Sequence, residues 1–408
     1  MSLKKNIINL FSSQVVGYVV PLVQLPYLTR VLGAEYLGLY LFSLSIITLA
    51  SIITNYGFDI SITKKVAEGE NTLKQLKQLL SRVHVIQSVL FVISVIIAII
   101  SILYSQHFSN NKFLIILIVF AILGNTYKAN WLFQSLEKIY IFSRITIIVR
   151  IFSLFLIFIF IKNTEDITLL FLIVAFQNIL STIISYFIIF NYLNITYIRI
   201  TFYSAWELFI ESSEYFFSRL GVSLYSTLGG FFLGMFSSMH QVAIYSVAEQ
   251  LYKAGVYAIS SISTPLVPYM ARTKNFNVFF KVTLLSIILT ICGATIGIIF
   301  GNDIILILFG EKLLDANSIL QIFMITIVIS IIGIHFGYPA LIPLGKQKVA
   351  NYSVVYGGLL QLTYIGILLI TDTSINAFNI ALGYLFCDLL MTIIRCCCFV
   401  KNSRDIKW

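Results

Sequence analysis

The chain has 408 residues, of which 59% are hydrophobic and 11% charged, with a mean hydropathy of +0.95 and a formal net charge of +10. Soluble proteins carry roughly 25% charged residues, so a water-soluble fold, which would put a strongly apolar surface in water, is excluded. Long continuous apolar runs also exclude a β-barrel, whose strands alternate over about ten residues, and leave an all-α polytopic membrane protein.

A helix needs about 20 residues to cross a bilayer. Apolar segments fall at about 7–29, 37–57, 83–104, 112–132, 140–161 and 167–190, then at 214–236, 242–265, 280–301, 316–337, 349–370 and 375–400. This pattern predicts about twelve transmembrane helices. Lys4 and Lys5 precede the first segment, which lacks a small-residue cleavage site and is expected as a span, not a removable signal.

Within the first span, Gln14, Gly17, Pro21 and Gln24 recur at three- and four-residue steps and make a polar face. Pro21 and Pro26 are candidate kinks, since each removes a helical hydrogen bond. Residues 59–82 follow span 2. Leu73, Leu76, Leu79 and Leu80 recur there at helical spacing, which predicts a short amphipathic helix on the cytoplasmic surface. Arg150 lies near the middle of span 5. Residues 191–213 form a central cytoplasmic linker, with Trp206 and Phe209 as interface anchors. The expected domains are a six-helix bundle over 1–190 and a second over 214–408, around a central cavity.

Arg219 sits toward the cytoplasmic end of span 7. Glu249 and Lys253 lie mid-span in span 8, at the i,i+4 spacing that lets them pair. Pro265 and Pro268 close that span, and Pro339 and Pro343 follow span 10; such breaks act as gating points in a transporter and are merely tolerated in a static bundle. Asp388 lies mid-span in span 12, with Arg395 two turns later. The five Cys and four His form no ligand pattern, so no metal site is expected.

Placing both termini in the cytoplasm puts 20 Lys and Arg on the inner side and four on the outer, leaving Arg150, Arg219 and Lys253 inside apolar segments. That bias follows the positive-inside rule and accounts for most of the net charge without nucleic acid. The halves echo each other. Gly38-Leu39-Tyr40 matches Ala243-Ile244-Tyr245, Gly124 matches Gly333, and Leu136-Glu137-Lys138 matches Leu344-Gly345-Lys346. The near-constant offset predicts two parallel repeats of six spans.

Two similar bundles point to transport by alternating access. The loops are short, carry no acid or His clusters, and contain no phosphate-binding glycine loop, so neither an enzyme nor ATP hydrolysis is expected. Charged groups within spans are costly and therefore functional candidates. Arg150, Arg219 and Lys253 suit an anion, or else snorkel toward the interface. Glu249 with Lys253 is either a closed structural pair or one that exchanges partners with substrate or a proton. Asp388 is the candidate carboxylate for a proton or cation.

The segment Pro26-Tyr27-Leu28-Thr29-Arg30-Val31-Leu32-Gly33-Ala34-Glu35-Tyr36-Leu37-Gly38-Leu39-Tyr40 resembles the signature of the Wzx-type O-antigen and polysaccharide flippases, within the multidrug/oligosaccharidyl-lipid/polysaccharide exporter superfamily. Asn55-Tyr56-Gly57-Phe58 and Trp131-Leu132-Phe133-Gln134-Ser135-Leu136-Glu137 resemble it too. Departures are Ser135 where Gly is frequent and Lys64-Lys65 where an Arg-Glu pair is common. The resemblance implies translocation of an undecaprenyl-diphosphate-linked oligosaccharide across the bacterial inner membrane, with no cofactor and with H+ or Na+ coupling. It further implies membrane lipids, a polysaccharide polymerase and a chain-length regulator as partners. Arg150, Arg219 and Lys253 would then hold the diphosphate, Arg30 would receive it near the outer face, and Gln14 and Gln24 would meet sugar hydroxyls. Glu249 and Asp388 would couple the ion. The alternatives are an ion-coupled multidrug exporter of the same superfamily and a flippase for another lipid-linked glycan.

Overall fold

The computed structural model describes the backbone of residues 3–69, 72–105, 107–109, 111–371 and 373–403, and the side chains of that set from 17 onward except 18, 218, 222 and 224. Every long element among them is an α-helix. The chain divides into two compact units, Met1–Arg219 and Leu220–Trp408.

Unit 1 holds α1 (Leu3–Asn55), α2 (Phe58–Glu68), α3 (Leu73–Ser105), α4 (Phe113–Thr126), α5 (Asn130–Ser135), α6 (Ile139–Phe160) and α7 (Ile167–Asn191). The unit boundary falls inside α8 (Phe202–Phe236), whose first half belongs to unit 1. Unit 2 continues with α9 (Met239–Ser263), α10 (Leu266–Thr273), α11 (Phe276–Ile299), α12 (Gly301–Phe309), α13 (Ala316–His335), α14 (Tyr338–Leu341), α15 (Gln347–Ile370) and α16 (Ala377–Asn402).

The internal repeat is visible in this order. A short helix, two long ones, a second short helix and two long ones run from α2 to α7, and again from α10 to α16 with α12 inserted. The echoes found in the sequence have physical causes. Glu137 and Gly345 both take left-handed backbone, φ 55° and 69°. Each lets the next amide donate back to the short helix, Lys138 to Phe133 O and Lys346 to Leu341 O, both at 2.8 Å. Gly124 lets α4 approach α7 so closely that a Cβ would lie 2.5 Å from the Ile179 nitrogen. Gly333 does the same for α13 against Thr392 of α16.

Nine helical runs among the described residues are long and apolar enough to cross a membrane. Spans 1 and 2 merge into one run, and α8 and α9 fall outside the nine, so the count of about twelve is not confirmed. Both omitted helices carry acid and base: Glu207, Glu211 and Arg219 on α8, Glu249 and Lys253 on α9. The break separating spans 1 and 2 is at Gly33, φ 73° and ψ 177°, while helix continues through Pro21 and Pro26. Proline weakens a helix by one hydrogen bond, whereas only glycine enters this backbone region at little cost. The separate amphipathic helix over residues 73–80 is also corrected. Those residues form the first turns of α3, with Leu76, Leu79 and Leu80 buried and Leu73 exposed.

Lipid is the natural cover for the long helices. Val89, Val92, Ile96, Ile100 and Leu103 stand exposed at three- and four-residue steps along α3, an apolar stripe that water would not tolerate. One buried cluster of unit 1 lies at its α2–α5 end, around Phe58, Leu80, Trp131, Phe133 and Leu208. Unit 2 repeats this arrangement around Leu266, Met270, Phe279, Leu341 and Phe399. Each such side chain contributes about 1.5–3 kcal/mol of burial.

Candidate functional site

Polar groups inside a membrane-spanning unit are expensive unless partnered, so their placement is the first guide to a site. In unit 1, Gln24 Nε2 donates to Tyr40 Oη at 2.9 Å, joining the two halves of α1 across the Gly33 break. On α6, Arg150 reaches toward α1, where a Cβ added to Gly17 would lie 3.0 Å from its guanidinium. Lys128, between α4 and α5, donates from Nζ to Asn178 Oδ1 on α7 at 2.7 Å. Arg150 is within electrostatic reach of both Tyr40 and Lys128. Two basic side chains thus lie within one unit, an arrangement suited to an anion.

Lys128 is the residue that sequence reasoning missed, having counted it among the inner loop cations. It lies within the apolar run Phe113–Ser135 and is half-buried. The available signal was the polar stretch Asn125-Thr126-Tyr127-Lys128-Ala129-Asn130, which turns the chain back inside the unit instead of leaving it.

Asp59 was missed as well. It is 6% exposed, on α2, and accepts from Asn55 Nδ2 and Asn130 Nδ2, both at 2.8 Å. Arg219 of α8, a candidate for substrate contact, reaches the same carboxylate at 3.3 Å. Nearby, Lys65 pairs with Glu211 at 2.5 Å, Ser212 donates to Ser61 at 2.9 Å, and Tyr56 stacks on Phe209 and Phe216. These contacts strap the first half of α8 to unit 1. Trp131 and Phe133, in a segment that resembles the flippase signature, are buried in the adjoining core and serve packing.

In unit 2, a cavity of about 240 Å3 is lined by Tyr225, Tyr252, Lys253, Ser330, Asp388 and Arg395 among others. Asp388, 4% exposed, is the twelfth residue of α16, as Asn178 is of α7. Its carboxylate accepts from Ser330 Oγ and, at 3.3 Å, from Tyr252 Oη. Tyr252 in turn stacks on Phe323, and Tyr384 packs edge-on against both rings. Arg395 is engaged elsewhere, donating to Ser353 Oγ and Gly333 O at 2.8 Å each and to Ala350 O at 3.4 Å. Glu249 and Lys253 form a closed pair at 2.8 Å, with the Lys253 side chain 32% exposed at the cavity.

The remaining expected residues scatter. Arg30 is exposed on α1. The side chain of Gln14 lies outside the described residues. Pro265 and Pro268 start α10, so the end of span 8 is a change of helix and not a kink within one. Among the described residues no three His, Cys, Asp or Glu gather as metal ligands.

Comparison with known proteins gives these interiors a context. Residues 3–274 match the family described as polysaccharide biosynthesis protein. The chain belongs to that family. Two relatives are candidate O-antigen transporters, one from Shigella dysenteriae and one from Escherichia coli (strain K12). Each is 25% identical, over 96% and 99% of this chain respectively and 98% of the relative. Among solved structures, the lipid II flippase MurJ in an inward closed conformation aligns with a TM-score of 0.75. It is 14% identical over 98% of this chain and 89% of its own. An inward-facing multidrug resistance MATE transporter aligns at 0.66, also 14% identical, over 98% and 100%. At such identity these two structures establish the fold alone, the one that MurJ and the MATE transporter share with this chain. This polysaccharide biosynthesis family member is a multi-pass membrane protein with that fold.

Proposed function

We propose that this family member moves a lipid-linked oligosaccharide, of the undecaprenyl-diphosphate type, from the cytoplasmic to the periplasmic face of the bacterial inner membrane by alternating access. The observation that carries the reading is the placement of two basic side chains within one membrane-spanning unit, Lys128 tethered to Asn178 at 2.7 Å and Arg150 set against α1 at Gly17. Both relatives described as O-antigen transporters, and the family match itself, support the same class of cargo.

The roles follow from charge and hydrogen bonding. Arg150 and Lys128 hold the diphosphate through charge-assisted bonds. Tyr40 and Gln24 offer exchangeable partners to sugar hydroxyls. Arg30 receives the diphosphate near the outer face, while in unit 2 Lys253 is held by Glu249 at 2.8 Å. Arg219 stays with Asp59 and acts on the position of α8. Asp388, with its neighbouring hydroxyls, takes the coupling proton or sodium ion. No covalent step is required of the protein.

The test compares deletion cells with cells re-expressing the protein, in a strain without a second flippase. Single lipid-linked repeat units should accumulate as surface polymer disappears, and re-expression should reverse both. Unchanged lipid-linked glycan and unchanged surface polymer would move the protein to drug export.

A further inference from the structure

At the end of unit 2 where α9, α13 and α16 begin, a second cavity of about 480 Å3 opens. It is unrelated to the Asp388 cavity and shares no lining residue with it. Its volume lies within the ~300–1,000 Å3 of small-molecule sites. Four amides line it: Gln241 from α9, Asn302 from α12, Asn317 from α13 and Asn376 immediately before α16. Asp315 adds one carboxylate, and Phe378, 45% exposed, adds one aromatic face.

The chemistry of this lining is selective. Helix starts attract anions when their first amides are free. Here Ser238 already accepts from the Gln241 amide at 3.3 Å, and Asn376 from the Asn379 amide at 2.9 Å. Asp315, 80% exposed and 3.5 Å from His240, further disfavours an anion. Asp315 belongs to no cluster of metal-ligating side chains among the described residues. Neutral amides, which both donate and accept, match hydroxyl groups, which do the same.

Several of these amides are held in place. Gln241 Oε1 accepts from the Ala377 amide at 2.7 Å. The Asn317 carbonyl oxygen is buried without a hydrogen-bond partner, against Gly301, where any Cβ would clash with it. The exposed Phe378 ring supplies the apolar face on which the C–H side of a sugar ring packs.

The geometry points to a glycan-binding site in this cavity, recognising hydroxyl-rich, uncharged sugar rings. It rests on the proposed function only for the source of the glycan. In the orientation given by the basic residues, the site faces the periplasm, where it would hold the sugar chain of the cargo after passage.

The test uses the full-length protein in detergent micelles and one probe, the oligosaccharide released by mild acid from the lipid-linked pool of the producing strain. Calorimetric titration should show binding to the wild type. Phe378→Ala and Asn302→Ala should each weaken it roughly tenfold, the size of one lost packing or polar contact in a built site. Phe378→Trp keeps a ring and should retain affinity, which separates lost stacking from lost fold. Absence of binding to the wild type, or equal affinity in all the variants, would overturn this site. Surface polymer measured in deletion cells decides the flippase reading independently. If polymer is lost on deletion while released glycan ignores both alanine variants, translocation stands and the outer glycan site falls.

Discussion

Arg150 and Lys128 illustrate why a charge inside a membrane protein has to be located by its neighbours. Arg150 faces α1 at Gly17, where there is no side chain to displace. Lys128 is tethered to Asn178. A diphosphate between two cations gains hydrogen bonds of about 1.5–3 kcal/mol each. Arg150→Ala should therefore lower surface polymer about tenfold or more at unchanged protein level, with Arg150→Lys intermediate because it loses the bidentate fork. Immunoblots beside glycan staining check this, and normal polymer with Arg150→Ala would remove the residue from the site. Asp59 poses the opposite case. Its buried carboxylate accepts from two half-buried amides, Asn55 and Asn130, so Asp59→Ala should destabilise the protein by about 1–3 kcal/mol. Arg219→Ala, breaking a half-exposed pair at 3.3 Å, should cost under about 1 kcal/mol. Thermal unfolding in detergent reads both, and equal losses would show that the ion pair dominates. Arg150, Glu249, Lys253 and Asp388 were legible in the sequence because they interrupt apolar runs. Asp59 and Lys128 were not, because each sits at an end of a run, where a loop charge and an inward-facing charge look alike.

Helix pairs are set by where backbones meet. Gly124 lies against backbone atoms of α7, and Thr182 Oγ1 donates to Gly124 O at 2.6 Å across the same crossing. Gly124→Val should push α4 from α7 and lower stability by about 1–3 kcal/mol. Gly293 on α11 has open space around its Cβ position, and Gly293→Ala should be neutral or stabilising by up to about 1 kcal/mol. Comparing the two melting temperatures tests whether contact, and not glycine as such, decides. The offset between Gly124 and Gly333 was readable because both solve the same crossing problem. What the pattern did not reveal was continuity. The hydropathy dip at Gly33 suggests a loop, and residues 59–82 suggest a link with one short amphipathic helix, yet the chain makes one interrupted helix in the first place and two helices in the second. Within the linker expected over 191–213, residues from Phe202 onward lie on a helix whose buried face holds Ala205 and Leu208.

At the scale of the whole molecule, the two units share one plan but hold different chemistry. The twelfth position of the last helix is neutral Asn178, bound to a lysine, in unit 1 and acidic Asp388, bound to hydroxyls, in unit 2. On the proposed function, this division would place anion binding in the first unit and ion coupling in the second. Asp388→Asn should accordingly abolish the response of transport to an imposed proton or sodium gradient while leaving glycan binding intact. Loss of binding with retained coupling would reverse the assignment. The central claim is tested most directly by reconstitution. Purified protein would be placed in liposomes carrying an undecaprenyl-diphosphate-linked oligosaccharide in both leaflets, and the fraction of glycan open to an added, impermeant glycosidase followed over time. Translocation predicts that digestion proceeds beyond the outer-leaflet share with wild-type protein and stops at that share with Arg150→Ala. Digestion that halts at the outer-leaflet share with wild-type protein, under either an imposed proton or sodium gradient, would contradict the account.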